Sequence, residues 1–355
     1  MMRPRAEPLL RVDQLRIELP TRRGALVAVD QVTFAIAAGE VLGLIGESGA
    51  GKSLTGAAII GMLEPPLRVA AGEIRLAGRR LDDLPDKAMQ RLRGREIGAI
   101  FQDPLTSLDP LYTVGAQLIE TIRTHLDLGV AEARRHALDL LREVGIAGPE
   151  QRFHHYPHQL SGGMRQRVVI ALALAAKPSC IIADEPTTAL DVSVQGHILA
   201  LLRRLCRENA AAVLLVTHDL RVIAQTADRA AVMYAGRIVE IGPARAIIDA
   251  PQHPYTAALM QAIPRIGGRG DRMRQIEGTM PRLGEVPQGC PFHPRCPSAF
   301  DRCRRERPEL MPAGTSAAAC WLFAGGTAAA GVGEISEYDA AGSEMVATLA
   351  KADRV

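Results

Sequence analysis

Four short segments in a fixed order constrain this chain more than anything else in it. They are GESGAGKS at 46–53, LSGGMRQR at 160–167, CIIADE at 180–185, and His218 directly after the apolar run VLLVT. The first fits G-x-x-x-x-G-K-[ST], with Gly46, Gly51, Lys52 and Ser53 at the fixed places. It follows the apolar run 41–45, which reads as a buried strand, and precedes LTGAAIIGML, which reads as a helix. Glycine lets a backbone wrap a phosphate closely and adopt positive φ, so that successive N–H groups converge on the oxygens. The following helix points its positive end at the same anion. Lys52 adds a point charge for the β and γ phosphates, and the Ser53 hydroxyl is placed to hold Mg²⁺.

CIIADE is a mainly apolar run and then two carboxylates, the pattern of a buried strand that ends at a phosphate site. Asp184 is expected to reach Mg²⁺, directly or through water, and Glu185 to orient and polarise the attacking water. A strand ending in two solvated acids has the same look; the position downstream of the phosphate loop and just before PTTALD favours the catalytic reading. His218 stands at the carboxyl end of a strand over 211–217, where ligands bind in open parallel sheets, and there it can contact the γ phosphate. Alone, such a histidine is more often a capping or surface residue.

In LSGGMRQR, Ser161, Gly162 and Gly163 can start a helix whose free N–H groups bind an anion. One phosphate cradle is already present. A second anion site points to the γ phosphate of a nucleotide held by another chain, so that two chains stand head to tail with two ATP molecules between them. Without the other motifs, the segment is an N-capped helix and no more.

Together these residues resemble the ATP-binding subunit of ABC transporters. In that family's terms 46–53 match the Walker A loop, Phe101-Gln102-Asp103 the Q-loop, 160–166 the signature, Asp184 and Glu185 Walker B, Ala189-Leu190-Asp191 the D-loop, and Thr217-His218-Asp219 the switch histidine. The resemblance spans about residues 8–250. It implies an α/β P-loop NTPase cassette with an antiparallel β subdomain, a helical subdomain at about 103–165 and a cysteine-containing C-terminal extension. It implies nucleotide contacts from Gly46, Glu47, Ser48, Gly49, Ala50, Gly51, Lys52, Ser53 and Leu54, and from Ser161, Gly162, Gly163, Gln166 and Asp191. Mg²⁺ falls to Ser53, Gln102 and Asp184, and catalysis to Glu185, His218 and Gln102, the last also relaying the nucleotide state to membrane subunits. One family feature is missing: the turn at Thr21-Arg22-Arg23-Gly24 offers no aromatic ring to stack on adenine. A guanidinium from Arg22 or Arg23 can stack instead, or both arginines are solvated.

At 355 residues the chain has room for one large domain with an appendage, or for two domains. No apolar run reaches the roughly 18 residues that span a bilayer. The best candidate, 168–176, is ended by Lys177 and Pro178, so the chain is not itself a pore. A net charge of +3 is too small to argue for nucleic acid. The start, MMRPRAEPLL, has arginines but no apolar core, which points to a cytosolic location. Arginines gather at 265, 269, 272 and 274 and again at 302, 304, 305 and 307; they read as solvated faces, or as contacts for acidic headgroups or a partner.

Alternation predicts antiparallel strands over 9–19 and 25–37 and further strands at 73–76 and 97–101. Helical spacing over 111–126 and 131–144 marks an insertion fixed at Gln102 and Ser161, able to move as a unit when ATP bridges two chains. Strands and helices then alternate to about 250, as in a wound sheet. The expected domains are a cassette over 1–250, an extension over 251–323, and a tail over 324–355, poor in large apolar residues and read as unstructured.

FQDPLTSLDPLYTVG at 101–115, HPYTAAL at 253–259 and GCPFHPRCPSAFDRC at 289–303 are similar to the oligopeptide and dipeptide importer ATPases. That likeness implies a second, non-identical ATPase, two transmembrane permease subunits, an extracytoplasmic solute-binding protein, no nucleic acid, and a place at the cytoplasmic face of the inner membrane. Importers of nickel, glutathione or other small solutes are the alternative. A soluble regulatory or nucleic-acid clamp of the ABC type is a rival, but such chains tend to carry two cassettes or a coiled coil that splits one.

Of the six cysteines, Cys180 in the Walker B strand and Cys206 in an amphipathic helix are explained by packing. Cys290, Cys296, Cys303 and Cys320 fall together beside glycine and proline. Disulfides do not suit a cytosolic chain, whereas four thiolates suit a metal or an iron–sulfur cluster. The spacing lacks the C-x2-C pairs of zinc ribbons. Members of the resembled group carry a [4Fe–4S] cluster here; zinc and free thiols are the other readings.

Overall fold

A computed structural model of the chain describes residues 7–102, 106–187, 192–262 and 276–324. Its strands are β1 (Leu10–Thr21), β2 (Gly24–Ile36), β3 (Val41–Ile45), β4 (Arg68–Leu76), β5 (Arg79–Arg80), β6 (Ile97–Ile100), β7 (Cys180–Asp184), β8 (Ala212–Thr217), β9 (Arg229–Tyr234), β10 (Arg237–Pro243), β11 (Met311–Ala313) and β12 (Ser316–Ala318).

The amino-terminal strands build an antiparallel sheet in the order β2-β1-β4-β5. Alternation along β1 and β2 puts Leu10, Val12, Leu15, Ile17, Val29, Val32, Phe34 and Ile36 inside, each at most 1% exposed. The register between β1 and β2 shifts after Val12, and Gln14 and Gln31 take positive φ. These irregularities add a residue without turning the apolar set outward, which a plain one-residue slip would do.

The second sheet runs β11-β12-β10-β9-β3-β8-β7-β6, with β9, β3, β8, β7 and β6 parallel. Parallel neighbours covered on both faces favour continuous apolar runs. VLGLI in β3 and AVLLVT in β8 are such runs, buried at every position. Register aligns Ile45 with Thr217 and Asp184 with Val216. The loops that follow β3, β7 and β8 therefore leave the sheet at one edge, and these are the loops that carry the motifs.

The inserted helices are Val114–His125 and Val130–Glu143, close to the predicted spans. The first begins later than residue 111 because Thr113 takes the cap, its side chain accepting from the Ala116 N–H at 3.3 Å. Leu118, Ile122, Ala137 and Leu141 bury against the signature helix, Gly162–Ala173, in one core. Beyond the cassette the extension continues the same sheet: β12 pairs with β10, Glu240 opposite Ala318, and β11 closes the edge. The expected tail lies outside the described residues except Ala324, as do Arg265, Arg269, Arg272 and Arg274.

Candidate nucleotide site and cysteine pocket

The loop after β3 owes its path to two glycines. A Cβ on Gly46 would stand 2.3 Å from the Met233 carbonyl oxygen, and Gly51 caps the next helix, Lys52–Ile59, at φ 104. Lys52, 6% exposed, turns its ammonium onto the carbonyls of Gly46 and Glu47 at 2.8 and 3.0 Å. Burial lowers its pKa, while Glu185, Asp184 and Glu47 pull it back up. Burial raises that of Asp184, opposed by a hydrogen bond from Ser53 at 3.2 Å.

Glu185 follows β7 in the left-handed region, φ 47, with its N–H donating to the Val216 carbonyl at 2.9 Å. An ordinary L-residue adopts that conformation only where its surroundings hold it there. Two side chains hold its carboxylate: Gln102 Nε2 donates to one oxygen at 3.1 Å, and His218 Nδ1 bonds the other at 2.9 Å. An ionised carboxylate only accepts, so Nδ1 carries the hydrogen. Ser48, Gly49, Gly51, Lys52, Ser53, Leu54, Gln102, Glu185 and His218 line one open cleft. Residues that the sequence spaces over more than 170 positions thus face one volume, a cation and oxygen donors on one side, an anchored base on the other. Asp103 and Asp191 lie outside the described residues. Ala50 is fully buried and helps to shape the loop from within.

Ser161 caps its helix as expected, its hydroxyl accepting from the Met164 N–H at 3.4 Å, and it is exposed. Gly162 has open space where a Cβ would stand, whereas a Cβ on Gly163 would meet Val194 at 2.8 Å. Gln166, expected among the nucleotide contacts, is placed differently from Ser161. It is 1% exposed, with its amide nitrogen unpartnered among the described residues. Helical phase turns it inward with Ile170, whereas Ser161 is exposed. Arg22 and Arg23 are exposed on the β1–β2 turn.

Cys180 and Cys206 are core residues, and burial pushes each thiol up to about 12. Cys290, Cys296, Cys303 and Cys320 line one small pocket with His253 and Phe292. Burial, with the neighbouring thiols behind it, raises Cys290 to about 11, and burial raises Cys296 and Cys320 as well. Among the described residues no three His, Cys, Asp or Glu side chains close on a single metal ion. Three of the four arginines of the second group are paired: Arg302 with Glu306, Arg305 with Asp301, and Arg307 with Asp30.

Sequence reasoning missed three residues that press on the phosphate loop from the extension. Arg295 binds the Glu47 carboxylate, the Tyr255 hydroxyl accepts from the Glu47 N–H, and Met280 stands 3.2 Å from where a Cβ on Gly49 would lie. The only signal was that Arg295 and Tyr255 fall in the segments FHPRC and HPYTAAL, which served there as marks of likeness alone.

The ABC transporter family model matches residues 29–188, and the model of the oligopeptide/dipeptide transporter C-terminal region matches 239–303. The chain is 46% identical to the dipeptide transport ATP-binding protein DppD of Escherichia coli over 302 residues, 85% of this chain and 92% of that one. It is 45% identical to DppD of Bacillus subtilis, covering 89% and 95%, and 45% identical to the oligopeptide transport ATP-binding protein OppD of Escherichia coli, covering 85% and 90%. Among solved structures, a dimeric ATP-binding cassette in a post-hydrolysis state with ADP and phosphate superposes with a TM-score of 0.60 at 30% identity, over 66% of this chain and 99% of that one. Fold, cleft and likeness agree: the chain belongs to the ATP-binding proteins of the ABC transporter family, in the group that carries the oligopeptide/dipeptide transporter C-terminal region.

Proposed function

We propose that this chain is the ATP-hydrolysing subunit of an importer of dipeptides or oligopeptides. The carrying observation is Glu185, lifted from a strand end and held by both Gln102 and His218 beside the phosphate loop. Lys52 supplies charge to the β and γ phosphates, which offsets the cost of gathering anions in one cleft. The Ser53 hydroxyl and the Asp184 carboxylate are hard oxygen donors side by side and suit Mg²⁺, which screens the phosphate charge when bound. Glu185 accepts a hydrogen bond from water and aims it in line at the γ phosphorus; His218 keeps the carboxylate turned toward that water. Gln102 ties the same carboxylate to the start of the helical insertion, so a change at the γ phosphate is felt there.

Ser161, exposed at a helix start, and Gly162 beside it suit the γ phosphate of a nucleotide held by a second ATPase subunit; the dimeric cassette among the solved structures supports the pairing. No described helix is long and apolar enough to cross a membrane; the likeness to peptide transport ATP-binding proteins supports passage of the solute through two separate permease subunits. Met62 and Phe101, about half exposed, edge a groove with Val169 and Leu172 beside the Q-loop, a surface of the kind such subunits dock on. The subunit then sits peripherally at the cytoplasmic face of the inner membrane, served by an extracytoplasmic solute-binding protein. The peptide names of DppD and OppD favour peptides over nickel or glutathione.

A [4Fe–4S] cluster on the four pocket cysteines is the finer reading, supported by four sulfurs lining one pocket, the ligand count that such a cluster takes. Iron and acid-labile sulfide at four of each per chain, in anaerobically purified protein, support the cluster; zinc or metal-free thiols refute it.

The function is tested by uptake. Cells lacking this subunit should lose accumulation of labelled di- and oligopeptides and regain it with the wild-type chain but not with Glu185→Gln. Uptake untouched by the deletion contradicts the peptide reading.

A further inference from the structure

We infer that Arg295 is a positioning residue for the nucleotide site, and that through it the cysteine-bearing extension braces the phosphate loop. Every polar group of Glu47, the second residue of that loop, is tied. Its N–H donates to the Tyr255 hydroxyl at 3.0 Å, its carbonyl accepts from Lys52 at 3.0 Å, and its carboxylate takes both terminal nitrogens of Arg295, at 2.9 and 3.1 Å. A paired fork of this kind fixes direction as well as distance. Arg295 is itself held. Its side chain is 7% exposed, its Nε donates to the Glu277 carbonyl at 2.8 Å, and its guanidinium lies 5.8 Å from the centre of the Tyr234 ring and 6.0 Å from that of Phe292. Tyr234, Tyr255 and Phe292 pack edge on or tilted within 5.3 Å of one another, joining β9, the helix Pro254–Gln261 and the cysteine loop.

Arg295 lies between Cys290 and Cys296, and the Cys290 N–H donates to the Cys303 carbonyl at 2.8 Å. Whatever orders the four cysteines therefore orders the guanidinium that grips Glu47. Lys52 shares Glu47 with Arg295, so a loosened Glu47 frees the carbonyl on which Lys52 rests. Coupling of this sort is reciprocal: if an ordered cysteine loop favours nucleotide binding, bound nucleotide must steady the cysteine loop by the same factor.

The inference rests on the cleft being the ATP site, and the test separates the two. Binding of a fluorescent ATP analogue with Mg²⁺ is measured on the full chain and on Arg295→Ala, Arg295→Lys, Glu47→Gln, the Arg295→Ala/Glu47→Gln double variant and Lys52→Ala, with hydrogen exchange of residues 290–303 followed with and without the nucleotide. Arg295→Ala should weaken binding about tenfold, Arg295→Lys by less, and the double variant by no more than the worse single one, since both changes break one link. Nucleotide should slow exchange in 290–303 of the wild type and leave it unchanged in Arg295→Ala and Glu47→Gln. Additive losses, unaltered binding in Arg295→Ala, or nucleotide protection of 290–303 that persists in the variants would overturn the brace while leaving the site intact. Wild-type binding by Lys52→Ala would overturn the site itself. If Arg295→Ala does not fold, Arg295→Lys and Glu47→Gln carry the same comparison.

Discussion

The floor of the proposed nucleotide site draws the ends of three parallel strands to one edge, and a candidate site residue stands at or just beyond the end of each. The carboxyl-terminal side reaches the same loop by single side chains, Arg295 and Tyr255, from segments more than 200 residues away in sequence. The floor is positioned by backbone: β3, β7 and β8 are locked in parallel register, so Lys52, Asp184, Glu185 and His218 have little freedom to be elsewhere. The brace is positioned by side chains resting on an aromatic cluster and a cysteine pocket, elements that bind weakly one by one. Chemistry that must not drift is placed on the sheet, and contacts suited to adjustment are placed on loops.

Four substitutions probe that contrast. The largest effect is expected on the floor. Lys52→Ala removes the cation proposed to meet the β and γ phosphates, and charge-assisted hydrogen bonds of about 1.5–3 kcal/mol to each phosphate predict a roughly hundredfold or greater loss of Mg·ATP affinity, read by equilibrium binding. Retained affinity would mean that backbone alone makes the cradle.

Next comes the joint between cassette and extension, read through pH. Burial pushes His253, 1% exposed, down to about 4, although a hydrogen bond with the Ala319 backbone opposes the shift. Between its ordinary 6.5 and 4 the unfolded chain takes up a proton that the folded chain refuses. Its contribution is complete above pH 6.5 and falls by up to about 3 kcal/mol as the pH drops to 4. Glu240, whose carboxyl burial raises, slopes the opposite way, losing stability as pH rises through its pKa. Asn at 253 can still accept from the Tyr255 N–H, so the difference between denaturation curves of wild type and His253→Asn isolates the histidine. A pH-independent difference would show that His253 titrates normally.

Smaller again is Ser161→Ala, which removes one long cap bond and should cost about 1 kcal/mol of stability by denaturant titration. If it lowers turnover in the assembled transporter by much more than that energy predicts, the helix start serves a partner's nucleotide as well as its own fold. The smallest effect is at the rim of the brace: Arg302 lies 3.6 Å from the Trp321 ring centre and is exposed, so Arg302→Ala should cost about 0.5–1 kcal/mol and shift the emission of the chain's single tryptophan.

The floor was legible because chemistry dictates residue type and spacing together. A close-wrapping loop needs glycine where Gly46 and Gly51 stand, and the pair of acids at 184 and 185 ends a strand that the apolar run announced. The α/β layers were equally plain, since 41–45 and 212–217 are unbroken apolar runs. The burial of Gln166 was not legible, because motif membership says nothing of helical phase. Arg295 was invisible for another reason: an arginine in a proline-rich loop has the composition of a solvated residue, and only tertiary packing shows that it meets Glu47. The joining of β12 to β10 was hidden likewise, because SAA is too short and too small to announce a strand.

The central claim is that Glu185, held by His218 and Gln102, directs the water that cleaves ATP. It is tested most directly by single-turnover hydrolysis of bound Mg·ATP in Glu185→Gln, alone and with its partner subunits, with nucleotide extracted and counted over time. The account predicts that ATP stays bound and is cleaved about 10² times more slowly or worse. Release of ADP and phosphate at the wild-type rate would contradict it.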